Sequence, residues 1–255
     1  MSNWFEKTIL DGIKELDEEK SCTGWFPINA ISNIPYIKYP FLSDEQNEEI
    51  YEQAKQVLVL SRTRNQYKET SITYNIDETK DSTKYVKVFG DYNTIHLMDD
   101  KEVNALITAQ NENNNLVIVS LHNHSNNSGF SAMDILIFAN NPNIKIMEIL
   151  NTKGEVSILA RPSELDLRHE MINILVLNIP DIAVRMNQWK KENPNDIDKL
   201  SLVDITTVDE RNNIATDCIN TFTNLGIFYS NYVDQEKAKH LTFPTIKTIT
   251  NEEKK

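Results

Sequence analysis

Cysteine and glycine are both scarce in this chain of 255 residues, which has two cysteines and six glycines. Cys22 and Cys218 lie far apart in the sequence and form neither a metal-binding pair nor a redox motif, so we expect reduced thiols. The glycines form no glycine-rich loop of the kind that binds nucleotide phosphates. These shortages argue against a disulfide-stabilised scaffold and against a phosphate-binding loop.

Long apolar runs and an excess of positive charge are missing as well. Apolar runs such as 116–121 and 172–177 are far shorter than the roughly 20 residues that cross a bilayer, so we expect no membrane association. The N-terminus is acidic and lacks a basic region followed by an apolar core, which predicts a cytoplasmic protein without a secretion signal. The formal net charge of −12 would repel phosphate backbones and disfavours a nucleic-acid partner.

The hydrophobic pattern predicts a protein of the α/β (α+β) class. Helices are expected at 2–18, from Ser43 to about Arg62, and at 100–110, 131–140, 164–178, 181–191 and about 208–231. Strands are expected at 70–76, 85–89, 116–121, 144–150 and 156–160, with a hairpin turn at Lys153-Gly154. The proline-containing segment 22–42 is expected to lie extended on a surface. We therefore divide the chain into an N-terminal helix and arm (1–42), a mixed helix and strand domain (43–162) and a helical extension (163–255).

The segment LHNHSNNSGFSAMD, residues 121–134, contains the residues best suited to chemistry. If the strand continues through His124, His122 and His124 point to the same side, because alternate residues of a strand share a face. The next turn reverses the chain, and Asp134 then lies one turn inside a helix that Ser131 begins. Two imidazoles, one carboxylate and a water molecule form the open tetrahedral site of a catalytic zinc ion.

Each fragment of this segment also has a simpler interpretation. A single His-x-His pair is often just two half-buried polar residues of one strand. Ser131 and Asp134 also make a good helix start, because a serine at the N-cap and an acid one turn later satisfy exposed amides and the helix dipole. The combination at this spacing is more specific than either part.

The pattern His122-Asn-His124-x6-Ser131-x-x-Asp134 resembles the metal motif of the JAB/MPN (JAMM) metalloprotease family, most closely the JAB domains of bacterial toxin and conflict systems. Two departures are visible. Ser125 replaces the proline that commonly follows the second histidine, and the interval to Ser131 is one residue shorter than is common. The resemblance is strong over the motif and weaker elsewhere. It implies that 43–162 is a JAB/MPN-like domain with a mixed β-sheet flanked by helices. A helical C-terminal extension follows this domain.

The resemblance also implies an activity, that of a zinc-dependent peptidase or isopeptidase. His122, His124 and Asp134 would bind Zn²⁺, and Ser131 would help to hold the tetrahedral oxyanion. The family needs a glutamate as general acid/base, for which Glu69, at the start of the first strand, is the main candidate. Other glutamates that could serve are Glu78, Glu102 and Glu112. The expected partner is a protein or peptide substrate, and ubiquitin-like proteins are the best-known substrates of the family.

Two other functions remain as alternatives. A non-catalytic JAB-type interaction module would have little need for the three metal ligands that this sequence retains. A RadC-like role near DNA is disfavoured by the net charge. His96 and His169 are expected to be ordinary loop and helix residues, and the sequence does not predict an oligomeric state.

Overall fold

The computed structural model describes residues 26–78, 84–91, 95, 97–109, 116–162, 165–194 and 202–244. Its strands form one sheet of six, in the order β2-β1-β3-β4-β5-β6. The strands are β1 (Thr70–Asn75), β2 (Val86–Phe89), β3 (Ile118–Asn123), β4 (Ile144–Leu150), β5 (Val156–Ala160) and β6 (Phe228–Val233). β3 and β4 run parallel, and the other neighbouring pairs are antiparallel. The expectation of an α+β protein with a mixed sheet and flanking helices is confirmed.

The helices are interspersed with the strands along the chain. They are α1 (Asn29–Asn33), α2 (Asp44–Arg64), α3 (Lys101–Thr108), α4 (Ala132–Asn140), α5 (Arg168–Asn178), α6 (Ile182–Glu192), α7 (Leu202–Ile205), α8 (Val208–Asn224) and α9 (Gln235–Ala238), with a 3-10 turn at Leu97–Asp99. Helices α5 to α8 lie between β5 and β6. Among the described residues, no helix combines the length and the apolar character needed to cross a membrane.

The chain divides into two compact units. The first comprises Met1–Gly129, Asn143–Pro162 and Phe228–Lys255, and its described part contains the sheet with α1, α2, α3 and α9. The second comprises Phe130–Pro142 and Ser163–Ile227 and contains the remaining helices. Within the second unit α4 and α5 both pack on α8, which buries Ile214, Cys218 and Phe222.

Helix α2 begins where its sequence predicts and supplies the core of the first unit. Ser43 Oγ accepts a hydrogen bond from the Gln46 backbone N–H at 3.2 Å, and Gln46 Oε1 accepts one from the Ser43 N–H at 2.9 Å. This reciprocal cap stabilises a helix by about 1 kcal/mol. The apolar face of α2 packs on β1 and β3, and that core includes Ile50, Ala54, Val57, Leu58, Ile72, Tyr74, Val119 and Leu121.

The face of the sheet away from α2 carries polar side chains. Alternate residues of a strand point to opposite faces, so the neighbours of the core residues lie on this second face. They are Ser71, Thr73, Ser120 and His122, all buried. A contact of 3.3 Å between Thr73 Oγ1 and Ser120 Oγ confirms that β1 and β3 share this alternation. The first motif histidine therefore lies on the polar face of a central strand.

The described part of the arm, from Phe26 onward, differs from the expectation. The sequence predicted an extended surface segment, but 29–33 form α1, and Phe26, Ala30, Ile34 and Tyr39 are buried in the core of the first unit. The prolines interrupt the segment but do not expose it. Its aromatic and aliphatic side chains remove apolar surface from water by packing inward, and this burial stabilises the segment against the core. The expected helix at 2–18 lies outside the described residues.

The end of the expected helical extension is also different. A helix was predicted over about 208–231, but α8 ends at Asn224, Gly226 follows with a φ of +97°, and 228–233 form β6 beside β5. The assignment of 225–231 as helix was wrong. The sequence FYSNYV is rich in the aromatic and β-branched residues that favour strands, and a glycine in the left-handed region is the usual end of a helix.

Candidate metal centre

Strand β3 positions the two histidines of the candidate site. It lies between β1 and β4, and all six of its residues are buried. His122 is in the strand and is 0 % exposed, whereas His124 follows the strand directly and is 8 % exposed. The His124 backbone N–H donates to the Leu150 carbonyl at 2.9 Å, which continues the ladder to β4 beyond the end of β3. The two imidazole rings lie with their centroids 5.1 Å apart, as expected for residues on one face.

Helix α4 delivers the carboxylate. Ser131 is its N-cap, and Asp134 is the third residue of the helix, 7 % exposed. Asp134 Oδ2 accepts hydrogen bonds from the Ser131 backbone N–H at 2.8 Å and from Ser131 Oγ at 2.6 Å, while Ser131 Oγ accepts from the Asp134 N–H at 3.2 Å. The capping box therefore fixes the orientation of the carboxylate before any ligand binds.

His122, His124 and Asp134 form one group that can hold a metal ion. Each offers one ligand atom, and these atoms lie within 4.8 Å of one another. If all three separations were 4.8 Å, the common centre would lie about 2.8 Å from each atom. Zinc ligands lie at about 2.0–2.2 Å, so small side-chain shifts would bring the three atoms to an ion. Two imidazoles and one carboxylate also match the ligand set of catalytic zinc sites. The donor set therefore fits a transition-metal ion.

Glu69 immediately precedes β1 and is 6 % exposed. Its backbone N–H donates to the Asp91 carbonyl at 2.9 Å, and its carbonyl accepts from the Gly90 N–H at 2.8 Å. Ser71 lies opposite His122 in the antiparallel register of β1 and β3. Glu69 lies two residues before Ser71, and residues two apart in extended backbone share a face, which predicts that Glu69 lies on the face of the sheet that carries the histidines. It is not one of the three grouped ligands.

Two asparagines hold the backbone around Glu69. Asn65 Nδ2 donates to the Glu69 carbonyl at 2.7 Å and to the Gly90 carbonyl at 3.1 Å. Asn123, the residue between the two histidines, accepts the Thr70 N–H on its Oδ1 at 2.9 Å. The strand that carries the histidines is therefore joined to the start of β1 by a side chain of the motif itself. Neither asparagine was predicted from the sequence to support the site.

The turn between His124 and Ser131 is anchored on the sheet at several points. Thr152 Oγ1 donates to Asn127 Oδ1 at 2.6 Å, and the Gly129 N–H donates to the Tyr232 hydroxyl at 3.0 Å. A Cβ on Gly129 would lie 2.2 Å from Asn231 Oδ1, so β6 packs directly against this turn. No sequence signal pointed to these contacts, because Tyr232 and Asn231 lie about 100 residues away in a segment expected to be helical or beyond it.

Of the other residues considered from the sequence, those that the structure describes do not join the group. Glu78 and Glu102 are exposed, and Glu102 lies in the first turn of α3, as predicted. His169 is exposed on α5. Glu112, His96 and Cys22 lie outside the described residues. Cys218 is a buried free thiol, and burial, with a smaller contribution from Asp217, raises its pKa to about 12. A thiol with so high a pKa is a poor ligand and nucleophile.

Comparison with known proteins adds no further constraint, since no family model, no curated protein and no solved structure matches this chain.

Proposed function

We propose that this protein is a zinc-dependent peptidase or isopeptidase. The observation that supports the proposal most is the convergence of His122, His124 and Asp134, with their ligand atoms within 4.8 Å of one another. Zinc suits two imidazoles and one carboxylate, and this set leaves a coordination position for water or substrate. The choice of an amide substrate follows from the resemblance of the motif to the JAB/MPN family.

The residues of the site have different roles in the proposed reaction. His122 and His124 would hold the ion through neutral ring nitrogens, and Asp134 would hold it through a carboxylate oxygen. When bound, zinc lowers the pKa of a coordinated water to about 7 and polarises a carbonyl oxygen. Glu69 accepts the proton of the attacking water and returns it to the leaving amine. Ser131 donates its hydroxyl to the developing oxyanion, for which it has to release Asp134 Oδ2.

The substrate is proposed to be a protein or peptide, with ubiquitin-like conjugates as the first class to test. A net charge of −12 disfavours nucleic acid as a partner, which leaves the RadC-like alternative without support. The non-catalytic interaction module differs from an enzyme in a measurable way, because it has no need to bind metal.

Elemental analysis of the purified full chain tests the metal site. We expect about one zinc per chain in the wild type and clearly less in Asp134→Asn. Asp209→Asn, which alters an exposed acid in the first turn of another helix, serves as the matched control and should keep its zinc. Circular dichroism should show that all three proteins are folded. A wild-type protein that stays metal-free after equilibration with zinc and dialysis would exclude the hydrolase and favour the interaction module.

Hydrolysis is then measured on the zinc-loaded protein. Suitable probes are fluorescently labelled casein for general peptidase activity and an isopeptide-linked ubiquitin dimer for isopeptidase activity. Cleavage of either that is lost in Asp134→Asn but retained in Asp209→Asn supports the proposal. A stoichiometric zinc protein that cleaves neither would retain the metal site but contradict the proposed substrate classes.

A further inference from the structure

The imidazole of His124 has a hydrogen-bonding partner within its own turn. His124 Nδ1 lies 2.9 Å from Ser128 Oγ. Ser128 Oγ in turn lies 2.5 Å from Asn126 Oδ1, which also accepts the Ser128 backbone N–H at 2.9 Å. These three side chains, which we call the Ser128 relay, belong to five consecutive residues of the first unit. The motif resemblance assigns no role to Ser128 or Asn126.

The hydrogen bonds of the Ser128 relay determine which ring nitrogen of His124 carries the proton. The Ser128 backbone N–H identifies the Asn126 atom as the amide oxygen, which can only accept. Two oxygens at hydrogen-bonding distance need a proton between them, so the one hydroxyl proton of Ser128 points to Asn126. Ser128 Oγ can then only accept from His124, and the remaining proton has to be on Nδ1. In the neutral imidazole Nε2 is consequently the nitrogen with the lone pair.

We infer that Ser128 and Asn126 are positioning residues that hold His124 in the Nδ1–H tautomer and direct Nε2 to the metal. The inference rests on the proposed function for the identity of the ligand, but the tautomer itself is a property of the metal-free protein. Ligand histidines commonly donate their second ring N–H to a fixed acceptor, which orients the ring and strengthens the ligand. Here the acceptor is a serine hydroxyl whose own orientation is set by an Asx-type turn.

The surrounding turn allows the relay to be removed without loosening the backbone. Asn127 is anchored by Thr152, and Gly129 by Tyr232, through hydrogen bonds that do not involve the Ser128 side chain. Ser128→Ala therefore removes one hydroxyl while both anchors remain. Thr152→Val is the matched control, because it removes one anchor of the same turn and leaves the relay intact.

The tautomer is measured by nitrogen-15 NMR of the histidine rings in the full chain, stripped of metal and kept above about pH 8, where an ordinary imidazole is neutral. We expect the His124 ring to be protonated on Nδ1 in the wild type and in Thr152→Val. In Ser128→Ala it should shift towards the Nε2–H form that free histidine prefers. A wild-type ring protonated on Nε2, or a Ser128→Ala ring unchanged from the wild type, would overturn the inference.

Zinc affinity provides the second measurement, by competition with a chromophoric chelator. We expect Ser128→Ala to bind zinc about 10- to 100-fold more weakly, as is usual when a partner of a ligand histidine is lost. Ser128→Thr keeps a hydroxyl and should restore most of the affinity, and Thr152→Val should stay near the wild type. Equal affinities for the wild type and Ser128→Ala would refute the positioning role. If no variant bound zinc but the His124 ring were protonated on Nδ1, the proposed function would be overturned. The role of Ser128 in fixing the tautomer would still be supported.

Discussion

The Ser131 hydroxyl donates to Asp134 Oδ2 at 2.6 Å, so the side chain that begins helix α4 also holds the proposed carboxylate ligand. The same serine is the expected oxyanion donor, and its single proton cannot serve both acceptors at once. If the protein is the proposed hydrolase, Ser131 would have to exchange one acceptor for the other during turnover. The cap would hold Asp134 in place at rest and release one donor when negative charge develops on the substrate.

Ser131→Ala should therefore lower stability and activity for separable reasons. Loss of the N-cap should cost about 1 kcal/mol of unfolding free energy, measured by urea denaturation. Loss of an oxyanion donor should lower kcat about 10²-fold. Thr207→Ala, which removes the N-cap of the comparable capping box of α8, is the matched control and should lose similar stability without losing zinc. A Ser131→Ala enzyme with wild-type kcat would remove Ser131 from the mechanism and leave it as a cap.

Glu69→Gln should separate metal binding from proton transfer. Glu69 is not among the grouped ligands, so the variant should keep its zinc, and the amide can still pack at this buried position. Because an amide cannot accept the proton of water, hydrolysis of the cleaved probe should fall by about 10²-fold or more. Glu102→Gln, at an exposed glutamate of α3, should have wild-type activity. If Glu69→Gln stayed active and Glu102→Gln did not, the general base would have to be reassigned.

Much of the sheet could be predicted because its strands are apolar and bounded by polar turns. Strands 144–150 and 156–160 have the predicted limits, and Gly154 adopts the φ of +84° that a tight hairpin requires. The motif histidines were placed correctly on one face for the same reason, since strand alternation is a local rule. What was missed is contact at long range. β6 reaches the sheet after about 70 residues of helices, and nothing local in FYSNYV identifies its neighbour.

The supporting residues of the candidate site show the same limit. Asn126-x-Ser128 has the spacing of an Asx turn and was visible in the sequence as a turn, but its contact with His124 depends on the turn closing back on the strand. Nothing in the sequence indicated that Asn65, Asn231 and Tyr232 would support the site. The proposed ligands could be selected from the sequence because their residue types are chemically distinctive, whereas the residues around them are ordinary amides and hydroxyls.

Glu148 predicts a pH dependence of stability that does not involve the metal site. Its carboxyl group is buried on the α2 side of the sheet and accepts the Tyr39 hydroxyl at 2.5 Å. Burial raises the pKa of Glu148 from 4.5 to about 7, and the Tyr39 hydrogen bond opposes this only in part. Between these two pKa values the folded protein keeps a proton that the unfolded chain has released. The contribution of Glu148 to stability is therefore fully present below pH 4.5 and is lost as the pH rises through about 7.

Urea denaturation of the metal-free protein between pH 4.5 and 8 measures this effect. The wild type should lose about 3 kcal/mol of unfolding free energy over the range through this group. Glu148→Gln cannot ionise and should lack that component of the slope, while Glu236→Gln, at an exposed glutamate, should follow the wild type. A Glu148→Gln profile parallel to the wild type would show that Glu148 titrates at an ordinary pKa in the folded protein.

Gly129→Ala tests whether strand β6 supports the turn between His124 and Ser131, next to the proposed metal ligands. The added Cβ would lie 2.2 Å from Asn231 Oδ1. Asn231 is itself held by the Ser157 hydroxyl, so it cannot move aside without losing that bond. The positive-φ glycines of the described chain are Gly154 and Gly226, and the backbone at Gly129 can therefore accept alanine. The substitution should push the turn away from β6, cost about 1–3 kcal/mol of stability and weaken zinc binding.

The double variant Gly129→Ala with Asn231→Ala separates crowding from any other effect of the alanine. Removing the Asn231 amide makes room for the new methyl group, so most of the zinc affinity should return, although the Ser157 hydrogen bond is lost. Asn231→Ala alone should affect stability more than zinc binding, because the turn keeps its bonds to Tyr232 and Thr152. If Gly129→Ala bound zinc as tightly as the wild type, the orientation of His124 would depend on the turn alone, without support from β6.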